Sequence, residues 1–168
     1  MCATSARPWN ERRPLAEPTA DLRIGVRLAL SRTPGELFAD ARALETAGAD
    51  SLWVDATDAD PYVALASLAA VTWRIQLVAS GAPRAPGRAA CAWLAAGRLV
   101  VAEEAASSGE RWLQVDFPDD REAWRALRAS AAASGATGIV VPNDPRLMDL
   151  LRNPDQIFDR GDLNIAVG

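Results

Sequence analysis

The polar residues best placed for chemistry follow short apolar runs of the sequence. Asp55 follows Ser51-Leu52-Trp53-Val54, and Ser80-Gly81 and Arg84 follow residues 75–79. Glu103-Glu104, Asp116 and Asn143-Asp144 stand in the same way after the runs 99–102, 112–115 and 138–142. Asp55 can accept a hydrogen bond from the polar edge of a ligand, and a proton if burial raises its affinity for one. The plainer alternative is a turn cap. Ser80-Gly81 permits a close backbone approach to a flat ligand, or is simple loop ahead of Pro83. Arg84 precedes a predicted helix, and a guanidinium at a helix N-terminus suits a phosphate; an ordinary surface arginine is the alternative. Glu103, Glu104 and Asp116 are oxygen ligands of the kind Mg²⁺ or Ca²⁺ takes, but no D-x-D-x-D spacing accompanies them, so solvated loop charge is the better reading and no metal is expected. Asn143-Asp144-Pro145 reads as a helix cap.

Much chemistry is closed to this chain. Histidine is absent and all 18 basic residues are arginine, which removes a histidine base, a histidine zinc site, a lysine Schiff base and a P-loop lysine. A net charge of -4 with scattered arginines argues against nucleic acid as the partner. Cys2 and Cys91 make no disulfide framework, and Cys91, inside an apolar helical run, reads as a buried free thiol. No signal-peptide core and no stretch of about 18 apolar residues is present, so a cytoplasmic protein without a membrane span is expected.

The elements that must position these groups alternate. Residues 1–20 carry Pro8, Pro14 and Pro18 and read as a flexible leader, with one α/β domain over 21–168. Residues 22–28 have strand period; Thr33-Pro34-Gly35-Glu36 is a capping box, and Leu37, Ala41, Leu44 and Ala47 recur at helical spacing up to Gly48. The phrase repeats: strands at 51–54, 75–79, 99–102, 112–115 and 138–142, and helices at 60–72, 85–97, 119–134 and 145–151. Trp53, Trp93 and Trp124 fall on apolar faces, and Trp93 and Leu94 are expected on the inner side of their helix. Such alternation predicts βαβ units and a mainly parallel sheet, either open and doubly wound or part of a (β/α) barrel. G-x-G-x-x-G is absent, which weakens a dinucleotide fold. Only ten residues, 102–111, lie between Val101 and Trp112, too few for the usual helical crossover. An antiparallel hairpin, or an extended segment climbing back without a helix, is expected there.

Residues 23 to about 102 resemble the N-terminal part of the luciferase-like monooxygenases, barrel oxidoreductases that use FMN or the deazaflavin F-420. The similar stretches are Arg23-Ile24-Gly25-Val26, the join from Ala43 through Gly48-Ala49-Asp50-Ser51-Leu52-Trp53-Val54, and Pro61-Tyr62-Val63-Ala64-Leu65 with the run to Leu77. Leu94-Ala95-Ala96-Gly97-Arg98-Leu99-Val100 is similar to the family's L-S-x-G-R-x-x-L turn, and 119–153 to a late strand-helix unit. Members run well past 250 residues, so the middle of the barrel is missing here, at the short junction. Many carry an Asp-His pair after the second strand; this chain has Asp55 without a histidine. Ala79-Ser80-Gly81 stands where members often have a non-prolyl cis peptide beneath the ring.

The resemblance implies a reduced, TIM-barrel-like α/β fold of about six mainly parallel strands. It implies a flavin- or F-420-dependent oxidoreductase acting on a small organic substrate, with Ser80 and Gly81 against the ring, Asp55 at its polar edge and Arg84 on an anion. The alternative is a silent relative that kept the scaffold and binds a partner. Missing strands leave open edges, so a homodimer is expected, with the strand-like segment 162–167 covering an edge.

Overall fold

Local signals set each element before any packing does. The computed structural model describes residues 22–31, 33–56, 60–81 and 84–153. The expected leader and the segment 162–167 lie outside the described residues. The order is β1 (Arg23–Arg27), α1 (Pro34–Ala47), β2 (Ser51–Asp55), α2 (Pro61–Ala69), β3 (Gln76–Ser80) and α3 (Arg88–Ala95), followed by β4 (Leu99–Val101), α4 (Ala102–Ser107), β5 (Trp112–Gln114), α5 (Arg121–Ala133), β6 (Gly138–Pro142) and α6 (Leu147–Arg152). α1 starts as its sequence predicts: the Glu36 carboxylate accepts from the Thr33 amide at 3.1 Å and its hydroxyl at 2.7 Å, with Pro34 in the first turn. It ends at Gly48, whose φ of 96° is the left-handed conformation glycine adopts without strain.

All strand pairs are parallel, in the order β4-β3-β2-β1-β6-β5. Alternation divides the strands between two faces. The outward set, including Ile24, Val26, Leu52, Val54, Leu77, Ile139 and Val141, packs under the helices with Leu44, Leu65, Leu68, Trp124 and Leu147. The inward set forms a second, smaller cluster: Trp53, Val78 and Val140, joined by Val100, Ala102 and Trp112. Trp53 on β2 and Trp112 on β5 lie three strand spacings apart, about 14 Å in a flat sheet. Their ring centroids are 5.3 Å apart, so the sheet curls into a half-barrel. Two glycines permit this. A Cβ on Gly25 would meet the Trp53 indole at 2.5 Å, and one on Gly138 would collide with the Trp112 ring.

Three expectations need correction. β4 and β5 do not form a hairpin; they occupy opposite edges of the sheet. The link between them is not an extended climb either, because it contains α4. This helix fits because β4 has three residues and α4 six, with no loop between them. Trp93 is not core: it is 81% exposed, and Leu94 is exposed beside it. Cys91 and Ala95 are the buried positions that fix the phase of α3, and two residues from Cys91 is about 200° around a helix. Trp53, Trp124 and Cys91 are buried as expected. Among the described residues no helix is long and apolar enough to cross a membrane.

Candidate functional site

The carboxyl ends of β1, β2, β3 and β5 bring polar side chains to the concave side. Arg27 closes β1 in phase with Arg23 and Gly25, and its Nη2 donates to Gln114 Oε1 of β5 at 2.6 Å. Its Nε lies 3.5 Å from Asp55 Oδ2, an ion-pair distance, yet that Nε is buried and makes no hydrogen bond. Both side chains are a little over one-third exposed, so the pair faces the mouth rather than the core. Asp55 is in register with Ser80 on β3, and the amide after it, Ala56 N, donates to the Ser80 carbonyl at 2.7 Å. Arg27, Asp55 and Ser80 thus stand at the ends of three adjacent strands.

Gly81 turns the chain out of β3 with a φ of 84°. Among the described residues there is no cis peptide bond, so the Ser80-Gly81 peptide is trans. The Gly81 amide donates to Glu103 Oε1 at 2.7 Å, tying the mouth of β3 to the first turn of α4. Glu104, next to it, pairs with Arg88 of α3 at 2.8 Å. Arg84 is exposed in the β3–α3 loop. The start of α3 lies three residues beyond the expected one and already faces a carboxylate. Asp60 Oδ2 accepts from the Gly87 amide at 2.8 Å while Oδ1 caps α2 through the Tyr62 amide at 2.9 Å. The Gly87 amide just before α3 is therefore already engaged.

At the end of β6, Asp144 and Asn143 are structural. Asp144 accepts from the Arg146 side chain at 3.0 Å and its amide at 2.8 Å, and these bonds hold its pKa below the usual carboxylate range. Asn143 Nδ2 donates to Asp40 at 2.7 Å, bracing β6 against α1. Among the described residues no three acidic or cysteine side chains assemble a metal-binding group.

At the opposite, amino end of the concave side the polar groups pair with one another. Trp112 Nε1 donates to Glu110 at 2.9 Å, Arg23 pairs with the same carboxylate at 2.9 Å, and the Arg23 guanidinium lies 4.8 Å from the Trp112 ring centre. The indole bond lowers the Glu110 pKa most; burial opposes it, and Arg23 adds to the lowering. Trp53 Nε1 finds Ser51 Oγ at 2.9 Å. Trp112 therefore belongs to a floor beneath the mouth.

Arg27 and Gln114 are the mouth residues that reasoning on strand ends overlooked. The signal for Arg27 was available: positions 23, 25 and 27 share one face of a strand whose other face is apolar. Gln114 carried none, because its approach to Arg27 depends on the curl.

No family model matches the chain, and no curated protein matches it. Among solved structures the chain is similar to the coenzyme F420-dependent tetrahydromethanopterin reductase of Methanopyrus kandleri, with 16% identity and a TM-score of 0.43 over 64% of this chain and 30% of that one. It is also similar to a probable methyltransferase of Bordetella pertussis Tohama I, at 18% identity and a TM-score of 0.35 over 78% of each chain. The chain spans about a third of the reductase's length, and neither likeness bears on what it binds or does. Six parallel strands, curled and alternating with helices, make its fold an α/β half-barrel of a TIM-barrel-like kind.

Proposed function

We propose that this chain is a luciferase-like oxidoreductase domain that takes a flavin or a deazaflavin of the F-420 type across the carboxyl ends of β1, β2 and β3. The observation that carries the reading is the buried Arg27 Nε, a cationic donor without a hydrogen-bond acceptor beside Asp55 at the mouth. A buried donor left unpaired costs about 1–3 kcal/mol, and a carbonyl on a ring edge would recover it. In this reading Asp55 and Arg27 hold the polar edge of the ring, Ser80 and Gly81 face its plane, and Arg84 meets an anionic group of the cofactor. Such a ring supplies hydride chemistry when bound, and the chain's own groups bind and orient it. The absence of histidine and lysine is compatible with this division of labour.

A second reading has its own observation. The Gly81 amide is already engaged by Glu103, and the floor beneath the mouth is filled by Trp53 and Trp112. A chain that kept the scaffold and serves as a binding partner, as a homodimer through its sheet edges for example, would have these features. Titration of the purified protein with FMN and with F-420, followed by cofactor fluorescence and equilibrium dialysis, separates the two. Saturable micromolar binding weakened by Asp55→Ala and by Ser80→Trp is the expected result. Failure to bind either cofactor up to millimolar concentration, by folded protein, would leave the partner reading.

A further inference from the structure

The segment 61–102 differs in charge from the rest of the chain. It holds Arg74, Arg84, Arg88 and Arg98 and no aspartate or glutamate, so it carries +4 in a chain whose total is -4. From Ala89 to Gly97, along α3, no residue is charged. Cys91 and Ala95 are the buried positions, and Ala89, Ala90, Ala92, Trp93, Leu94 and Ala96 are exposed. A helix apolar all round is ordinarily buried, yet among the described residues nothing covers this outer face. Trp93 is 81% exposed, and Trp73, in the turn after α2, is 82% exposed. Both lie at one end of the helix layer. β2, β3 and β4 are parallel neighbours, so α2 and α3 return in the same direction and their carboxyl ends meet the amino ends of the strands. Arg98 fastens those ends together. Its guanidinium donates to the Ala69 carbonyl at 3.0 Å and the Thr72 hydroxyl at 2.9 Å behind α2, and to the Ala95 carbonyl of α3 at 3.1 Å. These acceptors are neutral, so they leave the Arg98 charge in place. Arg74 is exposed beside Trp73, while Glu45 at this end is turned onto the amides of residues 73–75. Exposed indoles beside arginines, on a helix face without charge, match the surface of an anionic bilayer, where tryptophan rings lie at headgroup level and guanidiniums meet anionic groups. A second copy of this face fits worse, because it would set one acid-free segment against another.

We propose that α3 and the carboxyl end of α2 dock peripherally on an anionic lipid surface, with Trp73, Trp93 and Leu94 at headgroup depth. The contact lies at the opposite ends of the strands from the mouth, so it stands independently of any cofactor there. The test is flotation of the full-length protein with phosphatidylcholine vesicles, with and without about one-third phosphatidylserine. Association with the anionic vesicles alone is expected, weakened by high salt, together with quenching of tryptophan emission by brominated lipid. Trp73→Ser combined with Trp93→Ser should weaken association about tenfold or more while Tm changes little, and Trp93→Phe should retain most of it. Arg74→Glu should weaken it as well, with the fold intact. No association by folded protein, or association that the tryptophan substitutions leave unchanged, would overturn the proposal. So would equal association with neutral vesicles, a dimer that Trp93→Ser converts to monomer, or saturable binding of an acidic helical peptide to this face in place of lipid.

Discussion

The two ends of the concave side are built from the same strands with the same alternation, yet they differ in how completely their polar groups are paired. At the amino end Trp53, Trp112, Arg23, Glu110 and Ser51 satisfy one another, over two glycines that make room for the indoles. At the carboxyl end Arg27 has one good bond to Gln114, a loose ion pair with Asp55 and a buried Nε left over. A satisfied polar layer holds a sheet in one curvature, whereas an unsatisfied one keeps binding capacity in reserve. The difference assigns stability to the floor and ligand chemistry to the mouth, as expected for parallel α/β folds, whose ligands gather at strand carboxyl ends.

The largest effect should come from breaking the floor. Trp53→Ala removes a buried indole from the inner cluster and is expected to cost about 3–5 kcal/mol in denaturant unfolding. A smaller loss is expected at Glu45, also at the amino end, whose Oε1 accepts from the amides of Trp73, Arg74 and Ile75 at 2.8, 2.6 and 3.0 Å. Burial raises its pKa, but the three amide bonds and Arg74 outweigh this and leave it below the ordinary 4.5. Glu45→Ala should cost about 1–2 kcal/mol at pH 7, a value already reduced for solvent screening of a half-buried group. The folded-state pKa is depressed, so this contribution is full above the unfolded value and disappears as pH falls through the folded one. The unfolding difference between wild type and Glu45→Ala should therefore shrink on acidification below about pH 4.5.

At the mouth, Asp55→Ala should weaken cofactor binding about tenfold, near 1.4 kcal/mol, while Tm changes little. The smallest effect is expected outside both ends. Trp93→Ser, at a residue 81% exposed on α3, should shift stability by no more than about 0.5 kcal/mol. A large loss there would mean that something covers this helix in solution.

Much of this architecture was legible in the residues. Thr33-Pro34-Gly35-Glu36 and Gly48 bracket α1 because caps and stops act locally, and the apolar runs at 51–54 and 138–142 mark strands for the same reason. The strand order was not legible, since nothing local in Leu99–Val101 or Trp112–Gln114 says that they take opposite edges. α4 was hidden by its brevity and by the missing loop before it. Trp93 misled because an indole is large and apolar, whereas the small Cys91 and Ala95 make the close packing of α3. For the candidate site, strand ends pointed to Asp55, Ser80 and Gly81, whose closeness the register of β2 and β3 explains. Arg27 and Gln114 meet only through the curl, a tertiary property without a local signature.

The most direct test maps where a cofactor touches the molecule. Backbone and side-chain shifts would be recorded by NMR as F-420, and separately FMN, is added to the full-length protein. Perturbations concentrated at Arg27, Asp55, Ser80, Gly81 and Gln114, with the Trp53 and Trp112 indoles nearly unmoved, are the predicted result. Perturbations centred on the Trp53–Trp112 floor or on the outer helices, with the mouth residues still, would contradict the division between a binding mouth and a structural floor.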